Sequence, residues 1–420
     1  MYFSFIEFTL KRLYNILTHI AAFFIKTGAL FNYKLKLGVK GRAETFTVLK
    51  AKIGKKDHVI WFHCASLGEY EQGLPVFEEI KASNPNHKIV LSFFSPSGFE
   101  IRKNTPIADC VVYLPLDTAK NARRFLDLVH PKLVVFVKYE IWPNYLTEIK
   151  KRQINAILIS ALFRKNQRFF KSSGKWMQKV LFAFNHIFVQ NDESKKLLAQ
   201  IGYHQVTVSG DTRFDRVSNQ LNINNKLHFI ETFKQDKLCV VAGSTWPEDE
   251  ALLIDFINKD ASNTKYIIAP HNIKSGQISS LKNKLEKVSI LYSEKDSGDL
   301  TNANVLIIDT IGILSKIYNY ADIAYVGGAI GTTGLHNTLE PAVFGTPIVI
   351  GNNHQKFPEA NAMIANKGLF SIQNQTEFNY ILNQLIKSDD FRIKAGRLNA
   401  DFILNNKGAV KQIMAYLNKH

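Results

Sequence analysis

The chain reads IAYVGGAIGTTGLHNTLEPA at residues 323–342. The first four residues are a short, continuous apolar run, which is typical of a strand buried on both faces of a parallel sheet. A glycine-rich loop follows and leads into a helical pattern from Leu339. A strand, a glycine-rich loop and a helix amino terminus in this order offer free backbone N–H groups to a phosphate. The stretch therefore predicts a Rossmann-like α/β domain.

The same alternation of apolar runs and helical segments extends outward in both directions. The predicted strands of the second half are 238–242, 266–269, 288–292, 305–309, 323–326, 347–350 and 369–372, and those of the first half are 58–63, 88–94, 110–114, 133–137, 156–160 and 186–190. An Asn-rich polar stretch near residue 220 separates the two series and reads as a linker. The last stretch, 377–420, has a helical pattern throughout. The sequence thus predicts two similar α/β halves with ligands bound in a cleft between them, at the carboxyl ends of strands.

Composition narrows the class of protein. The chain has 420 residues, and 46% of them are hydrophobic, which excludes a disordered or fibrous protein. Lys plus Arg outnumber Asp plus Glu by 53 to 36, a formal charge of +17 that calls for an anionic partner: nucleic acid, an anionic membrane or a phosphorylated substrate. The three cysteines, Cys64, Cys110 and Cys239, lie far apart, so a disulfide framework and a structural zinc site are both disfavoured.

The first 40 residues are rich in apolar and basic side chains. Their longest charge-free run, 13–25, is shorter than the roughly 20 residues that a membrane-spanning helix needs. We expect an amphipathic helix in the membrane interface, although an ordinary helix packed on its domain fits the same pattern. The aromatic residues expected at headgroup depth are Tyr2, Phe3, Phe5, Phe8, Tyr14, Phe23 and Phe24. The residues expected to face anionic lipid are Lys11, Arg12, Lys26, Lys34, Lys36, Lys40 and Arg42.

Two carboxylates follow predicted strands of the first half. Ser66-Leu67-Gly68-Glu69 comes after the first strand, where Gly68 allows a ligand to approach the backbone and Glu69 falls in the first helical turn. Glu69 is either a helix cap or a general base in the cleft. Tyr139-Glu140-Ile141-Trp142-Pro143-Asn144 follows the strand 133–137, and it is either a second acidic site or a capping loop with a packed Trp.

Several loops of the second half are expected at one edge of a sheet. They are Gly243-Ser244-Thr245, Pro270-His271-Asn272, Asp309-Thr310-Ile311-Gly312 and the loop 327–338. Together they suit a nucleotide pocket, in which Glu340 could accept hydrogen bonds from two ribose hydroxyls. The G-x-G-x-x-G and G-x-x-x-x-G-K-[ST] motifs are absent, and so are D-x-D and H-E-x-x-H, which disfavours hydride transfer and a metal–diphosphate clamp.

These motifs, in this order, resemble the Kdo transferases, which move 3-deoxy-D-manno-octulosonic acid (Kdo) from CMP-Kdo to a lipid A precursor. The resemblance covers nearly the whole chain. It rests on S-x-G-E at 66–69, E-x-W-P at 140–143, GDTRFDR at 210–216, Ser244-Thr245, D-T-x-G at 309–312 and the Gly-rich loop ending in H-N-x-L-E-P at 336–341. The resemblance implies an inverting, metal-independent glycosyltransferase at the cytoplasmic face of the inner membrane, acting in lipopolysaccharide core biosynthesis on lipid IVA.

The resemblance also implies a GT-B fold with two Rossmann-like domains around a cleft and a last helix that crosses back to the first domain. The expected parts are a membrane-associated segment 1–30, an acceptor-binding domain 31–210, a linker 211–235, a CMP-Kdo-binding domain 236–400 and a terminal helix 401–420. Glu69 matches the general base and Glu140 a second acidic residue, with Ser66 and Gly68 on the acceptor side. The segments that match CMP-binding positions are Ser244, Thr245, Pro270, His271, Ile311, Gly312, Ile313, Asn337, Thr338, Leu339 and Glu340.

Some positions depart from the family pattern, and other functions compete. His271 replaces an Arg, Ile313 replaces a Glu, and Trp246 stands where many members have His. A GT-B membrane enzyme that uses a UDP-sugar and a non-catalytic membrane-binding protein are the alternatives. A nucleic-acid partner is disfavoured because the basic residues are spread along the chain and no recognised module occurs. No cofactor and no metal are expected.

Overall fold

The protein folds as two separate α/β units. A computed structural model describes residues 2–171 and 174–419, without the side chains of residues 2–8. Unit 1 runs to Arg216 and includes the residues from Gly408 onward, while unit 2 spans Val217–Lys407. Each unit has a seven-stranded parallel sheet, which confirms the prediction of two Rossmann-like domains.

The sheet of unit 1 has the order β3-β2-β1-β4-β5-β6-β7. Its strands are β1 Val59–Cys64, β2 Lys88–Phe93, β3 Cys110–Tyr113, β4 Leu133–Val137, β5 Asn155–Ala161, β6 His186–Val189 and β7 Val206–Val208. The strand order changes direction between β1 and β4, and ligands of open α/β sheets bind at such a point. The loops after β1 and β4 carry Glu69 and Glu140, so both predicted carboxylates lie at this edge.

Helices cover both faces of the first sheet. They are α1 Tyr2–Gly28, α2 Tyr33–Lys52, α3 Leu67–Ser83, α4 Pro96–Arg102, α5 Ala119–Val129, α6 Pro143–Lys151, α7 Lys175–Leu181, α8 Asp192–Gln200 and α9 Thr212–Asn219. Alternate residues of β1 enter two apolar clusters: Trp61 packs with Phe136 on one face, and Phe62 packs with Phe77 on the other. Burial on both faces explains why the strands read as continuous apolar runs.

The sheet of unit 2 has the order β10-β11-β9-β8-β12-β13-β14. Its strands are β8 Cys239–Thr245, β9 Lys265–Pro270, β10 Ser289–Leu291, β11 Val305–Ile307, β12 Ile323–Val326, β13 Ile348–Gly351 and β14 Leu369–Ile372. Its helices are α10 His228–Lys234, α11 Pro247–Lys259, α12 Ser275–Lys284, α13 Leu314–Ile317, α14 Leu339–Ala342, α15 Pro358–Ala365, α16 Gln375–Lys387 and α17 Asp389–Asn406. The loops after the adjacent strands β9, β8 and β12 are those expected to bind a nucleotide.

The structure refines three predictions about the middle and the end of the chain. Strand β7 has no counterpart among the predicted strands, because it is only three residues long and follows a polar turn. The predicted linker 211–235 contains α9 and α10 rather than extended chain. The helical stretch at the end is divided at Ser388 and Gly408, and its last helix, α18 Ala409–Leu417, packs on α3 in unit 1. This confirms that the terminal helix returns to the first domain.

The first two helices meet at a bend of 120°. Among the described residues, neither of them alone is long and apolar enough to cross a membrane, whereas Thr9–Gly28 and Tyr33–Lys52 together pass by length and composition. The expectation for two residues was wrong: Tyr14 donates a hydrogen bond to Asp117, and Arg42 donates to the carbonyls of Phe94 and Leu114. Both therefore face the protein instead of lipid. The predicted headgroup aromatics Tyr2, Phe3, Phe5 and Phe8 have side chains outside the described residues.

Candidate active site

Glu69 lies in the first turn of α3, as predicted. Ser66 is the residue before the helix, and its hydroxyl makes no capping bond. The Glu69 carboxylate instead accepts a hydrogen bond from the backbone N–H of Ala65 at 2.5 Å. Gly68 is exposed, and a side chain there would meet nothing within 4 Å. Glu69 thus serves as a local cap and also lies beside open space, so the two predicted roles of this residue are compatible.

Glu140 is buried, and two ring nitrogens lie within hydrogen-bond distance of its Oε2 atom. The Nε2 atom of His63 lies 2.9 Å from Glu140 Oε2, and the indole N–H of Trp142 donates to the same oxygen at 2.7 Å. These two nitrogens also contact each other, because the Trp142 indole N–H donates to His63 Nε2 at 3.0 Å. Pro143 opens α6, as its position in the sequence suggests. The loop is therefore more than a cap with a packed Trp, because Trp142 binds the carboxylate itself. His63 is fully buried on β1 and was not among the predicted site residues.

The surroundings of Glu69 change its proton affinity. Burial, and secondly the negative charge of Glu140, raise the pKa of Glu69 to about 7. The Ala65 N–H, the charge of Lys138 and the Ser66 N–H act in the opposite direction. A carboxylate with a pKa near the working pH is a stronger base than an ordinary Glu, and about half of it is ionised at that pH. The helix dipole alone would have lowered the pKa, so the tertiary environment dominates.

The GDTRFDR motif at 210–216 builds the support around α3. Buried Asp211 accepts a hydrogen bond from the Gln72 amide at 2.8 Å and pairs with Arg213 at 2.8 Å. Asp215 accepts hydrogen bonds from the backbone N–H groups of Gly408 at 2.9 Å and Ala409 at 3.0 Å. Part of this motif therefore attaches the last helix to unit 1, a role that sequence spacing alone does not reveal.

A buried carboxylate organises the glycine-rich loop of unit 2. Asp249 accepts hydrogen bonds from the backbone N–H groups of Trp246 and Gly328, each at 2.9 Å, and from the Tyr325 hydroxyl at 2.6 Å. Gly328 has φ of +94°, and a Cβ at Gly327 would lie 2.7 Å from Asp249 Oδ2, so glycine is required at both positions. Asp249 was missed in the sequence, where it reads only as an acidic residue in the first turn of α11.

Three rings gather at the ends of β8, β9 and β12. Trp246 stacks on His271 with 4.5 Å between ring centroids, and His336 lies 4.6 Å from His271. The Trp246 indole N–H lies 3.2 Å from His336 Nε2 and donates to it. Burial, and secondly His271, lower the pKa of His336 to about 4, so His336 is neutral at pH 7. Trp246 and His271, two positions that depart from the family pattern, thus form an aromatic cluster with His336.

The remaining residues that match CMP-binding positions differ in how far their side chains are exposed. Ser244 has φ of +56° at the end of β8, where Thr245 is buried and Pro270 pairs with it. The side chain of Ile311 is 79% exposed beside Gly312, which has φ of +97°, and Ile313 precedes α13. Thr338 and Leu339 are buried, so neither side chain is open to a ligand. The Asn337 amide donates to Glu340 at 3.1 Å, which orients the first turn of α14.

Within the described residues, no group of three His, Cys, Asp or Glu side chains is arranged to hold a metal ion. The three cysteines are buried and unpaired with one another. Burial raises the pKa of the Cys239 thiol to about 12, so this group is an unreactive core residue.

Comparison with known proteins adds a family likeness. A family model described as 3-deoxy-D-manno-octulosonic-acid transferase (kdotransferase) matches residues 40–216, which include Glu69 and Glu140. A 3-deoxy-D-manno-octulosonic acid transferase of Haemophilus influenzae is 27% identical in an alignment of 376 positions that covers 86% of this chain and 87% of the relative. One of Aquifex aeolicus is 29% identical in an alignment of 335 positions that covers 78% of this chain and 86% of the relative. The UDP-GlcNAc 2-epimerase of Neisseria meningitidis, solved with UDP-GlcNAc bound, covers 86% of this chain and 100% of its own with a TM-score of 0.61 and 15% identity, a likeness of fold alone.

Proposed function

Because the chain belongs to the 3-deoxy-D-manno-octulosonic acid transferase family, we propose that it is a glycosyltransferase that moves Kdo from CMP-Kdo to a hydroxyl of a lipid A precursor. The acceptor is lipid IVA, and the reaction belongs to lipopolysaccharide core biosynthesis. The single observation that carries the mechanism is the raised pKa of Glu69, to about 7, beside the buried Glu140.

Glu69 is the general base of the proposed transfer. The acceptor oxygen attacks the anomeric carbon of Kdo from the face opposite the phosphate, and its proton passes to the Glu69 carboxylate. The bond from the anomeric carbon to the phosphate oxygen breaks, and CMP leaves with the electron pair, so the configuration is inverted. General-base catalysis of this kind contributes about 10²–10⁴-fold to the rate.

The donor binds unit 2 in this proposal. Backbone N–H groups of the loops after β8, β9 and β12 meet the phosphate, and Glu340 accepts hydrogen bonds from the ribose hydroxyls. Supporting this arrangement, Asp249 accepts hydrogen bonds from the Trp246 and Gly328 N–H groups and so fixes the loops after β8 and β12; these two N–H groups are not among those that meet the phosphate. The aromatic cluster of Trp246, His271 and His336 contributes stacking surface, and His336 adds no positive charge because it is neutral at pH 7.

The proposal places the enzyme on the anionic cytoplasmic face of the inner membrane through α1. Its support is a set of exposed apolar side chains along the described part of that helix and the turn after it: Leu13, Ile16, Leu17, Ile20, Phe23, Phe24, Leu30 and Phe31. Exposed Lys11, Lys26, Lys34, Lys36 and Lys40 lie in the same two helices. An apolar face flanked by lysines is typical of helices in a membrane interface.

The test is Glu69→Gln, which keeps the size and a hydrogen-bonding group but removes the base. We expect kcat to fall by about 10²-fold or more, with CMP-Kdo binding changed less than about twofold. The control is Glu193→Gln, an exposed carboxylate on α8, which should leave kcat unchanged. Near-normal turnover by Glu69→Gln contradicts the mechanism.

Donor choice separates this function from the alternative of a UDP-sugar enzyme. CMP should raise the melting temperature of the protein, and UDP at the same concentration should raise it less. Product formation from CMP-Kdo and lipid IVA, unaffected by EDTA, would support a metal-independent transferase and dismiss a non-catalytic membrane-binding protein. Stronger protection by UDP than by CMP would favour the UDP-sugar enzyme instead.

A further inference from the structure

A series of buried hydrogen bonds links side chains of β1 and β2 and ends at Glu140. The Trp61 indole N–H donates to Ser92 Oγ at 2.7 Å, and Ser92 Oγ lies 2.8 Å from His63 Nδ1. His63 Nε2 then contacts Glu140 Oε2 at 2.9 Å. Trp61 and His63 are on β1 and Ser92 is on β2, so neighbouring strands hold this series rigidly. His63 and Ser92 are fully buried.

This series of hydrogen bonds favours one position for the ring proton of His63 when Glu140 is ionised. Ser92 Oγ accepts from Trp61 and can therefore give its own proton to His63 Nδ1. The ring proton is then on Nε2, from which it is donated to Glu140. In the opposite tautomer, Nδ1 donates to the Ser92 carbonyl at 3.1 Å, Nε2 accepts from the Trp142 indole N–H at 3.0 Å, and Glu140 receives no hydrogen bond from His63.

From this geometry we propose that His63 is a positioning residue that donates a hydrogen bond to Glu140, holds this carboxylate in place, and thereby governs how Glu140 acts on the base Glu69. The proposal rests on the proposed function, because it assumes that Glu69 accepts the proton of the acceptor hydroxyl. His63 itself touches neither substrate in this mechanism. It acts through Glu140, whose Oε2 receives a second hydrogen bond from Trp142. Two donors on one oxygen stabilise the carboxylate form.

The other groups around Glu69 leave Glu140 as the main negative neighbour. Lys138 is the nearby positive charge, and it lowers the pKa of Glu69. Burial raises the pKa of the Cys64 thiol and of the Tyr139 phenol, so both are neutral near pH 7. A change in the charge of Glu140 therefore changes the pKa of Glu69. If Glu140 took up a proton, it would no longer oppose ionisation of Glu69, which would become a weaker base.

Two substitutions of His63 separate this role from simple packing. In His63→Gln the amide nitrogen can take the place of Nε2 and still donate to Glu140. In His63→Asn the shorter amide can reach Ser92 but not Glu140. The experiment measures kcat against pH for both variants of the full chain, with saturating CMP-Kdo and a lipid A precursor, and thermal unfolding verifies that each is folded.

We expect the kcat of the wild type to fall as the pH drops below about 7. In His63→Asn this acidic limb of the profile should lie about one pH unit lower. The plateau kcat of His63→Asn should fall about tenfold, with each KM changed less than about twofold, because the weakened base acts in the transition state and not in binding. His63→Gln should restore the limb and the plateau. A lower kcat with an unmoved limb in His63→Asn overturns the proposal, and so does a failure of His63→Gln to restore them.

A double substitution tests the pathway through Glu140 independently. In Glu140→Gln the neighbour is neutral whatever His63 does, so adding His63→Asn should move the limb no further. A further shift would show that His63 acts by another route and would also overturn the proposal. Failure of the proposed function is distinguishable, because Glu69→Gln would then retain turnover and the limb near pH 7 regardless of the His63 variants.

Discussion

At the residue scale, the catalytic role proposed for Glu69 comes with a cost in stability. Its pKa in the folded protein, about 7, exceeds the value of about 4.3 expected in an unfolded chain. The protonated carboxyl favours the folded state fully below pH about 4, and this advantage is lost as the pH rises through 7. The side chain could be located from sequence, since S-x-G-E follows a predicted strand. Its pKa could not be predicted, because it is raised by burial in the folded protein and, secondly, by Glu140, which follows a different strand.

This cost gives a prediction for Glu69→Gln. The amide is always neutral, so the variant should have a higher melting temperature than the wild type at pH 8, and the difference should shrink progressively towards pH 4. Differential scanning calorimetry across this pH range measures it. Glu193→Gln, which changes an exposed carboxylate, should follow the wild type. A constant difference between pH 4 and pH 8 would show that packing rather than ionisation is responsible.

At the scale of elements, Asp215 connects the last helix to the first unit. Its carboxylate receives the first two N–H groups of the α18 turn, and Ile413 of α18 is fully buried against residues of α3. Asp215→Ala removes a helix cap and should lower the free energy of unfolding by about 1–2 kcal/mol, as measured by urea denaturation. Asp215→Asn, which can still accept, should lose less. Equal stability of the Ala and Asn variants would contradict the capping role.

At the scale of the whole molecule, the charge of +17 and the apolar face of α1 predict membrane binding. Phe23 and Phe24 are 63% and 65% exposed, and replacing both with Ser should sharply reduce sedimentation with phosphatidylglycerol vesicles. Binding by the wild type should also weaken at high salt and on phosphatidylcholine vesicles, because the lysines interact with surface charge.

The control for this experiment is the double variant Tyr380→Ser, Ile393→Ser. These side chains of unit 2 are 63% and 66% exposed, so the control removes a comparable apolar surface from another part of the chain. It should bind vesicles like the wild type. Equal losses in the two double variants would mean that α1 has no special part in binding, and the proposed localisation would lose its support.

The sequence by itself determined thirteen of the fourteen strands, the two-unit α/β fold and the place of Glu69 and Glu140 after their strands, because buried parallel strands and the turns after them have local signatures. Only the tertiary structure decided the burial, the neighbouring charges and the hydrogen-bond partners of these residues. Tyr14 and Arg42 turned out to bind the protein, and Asp249 and His63 emerged as supports of the two sites. Burial and the charge of a distant carboxylate depend on which strands are neighbours, and that pairing is set by packing of the whole sheet.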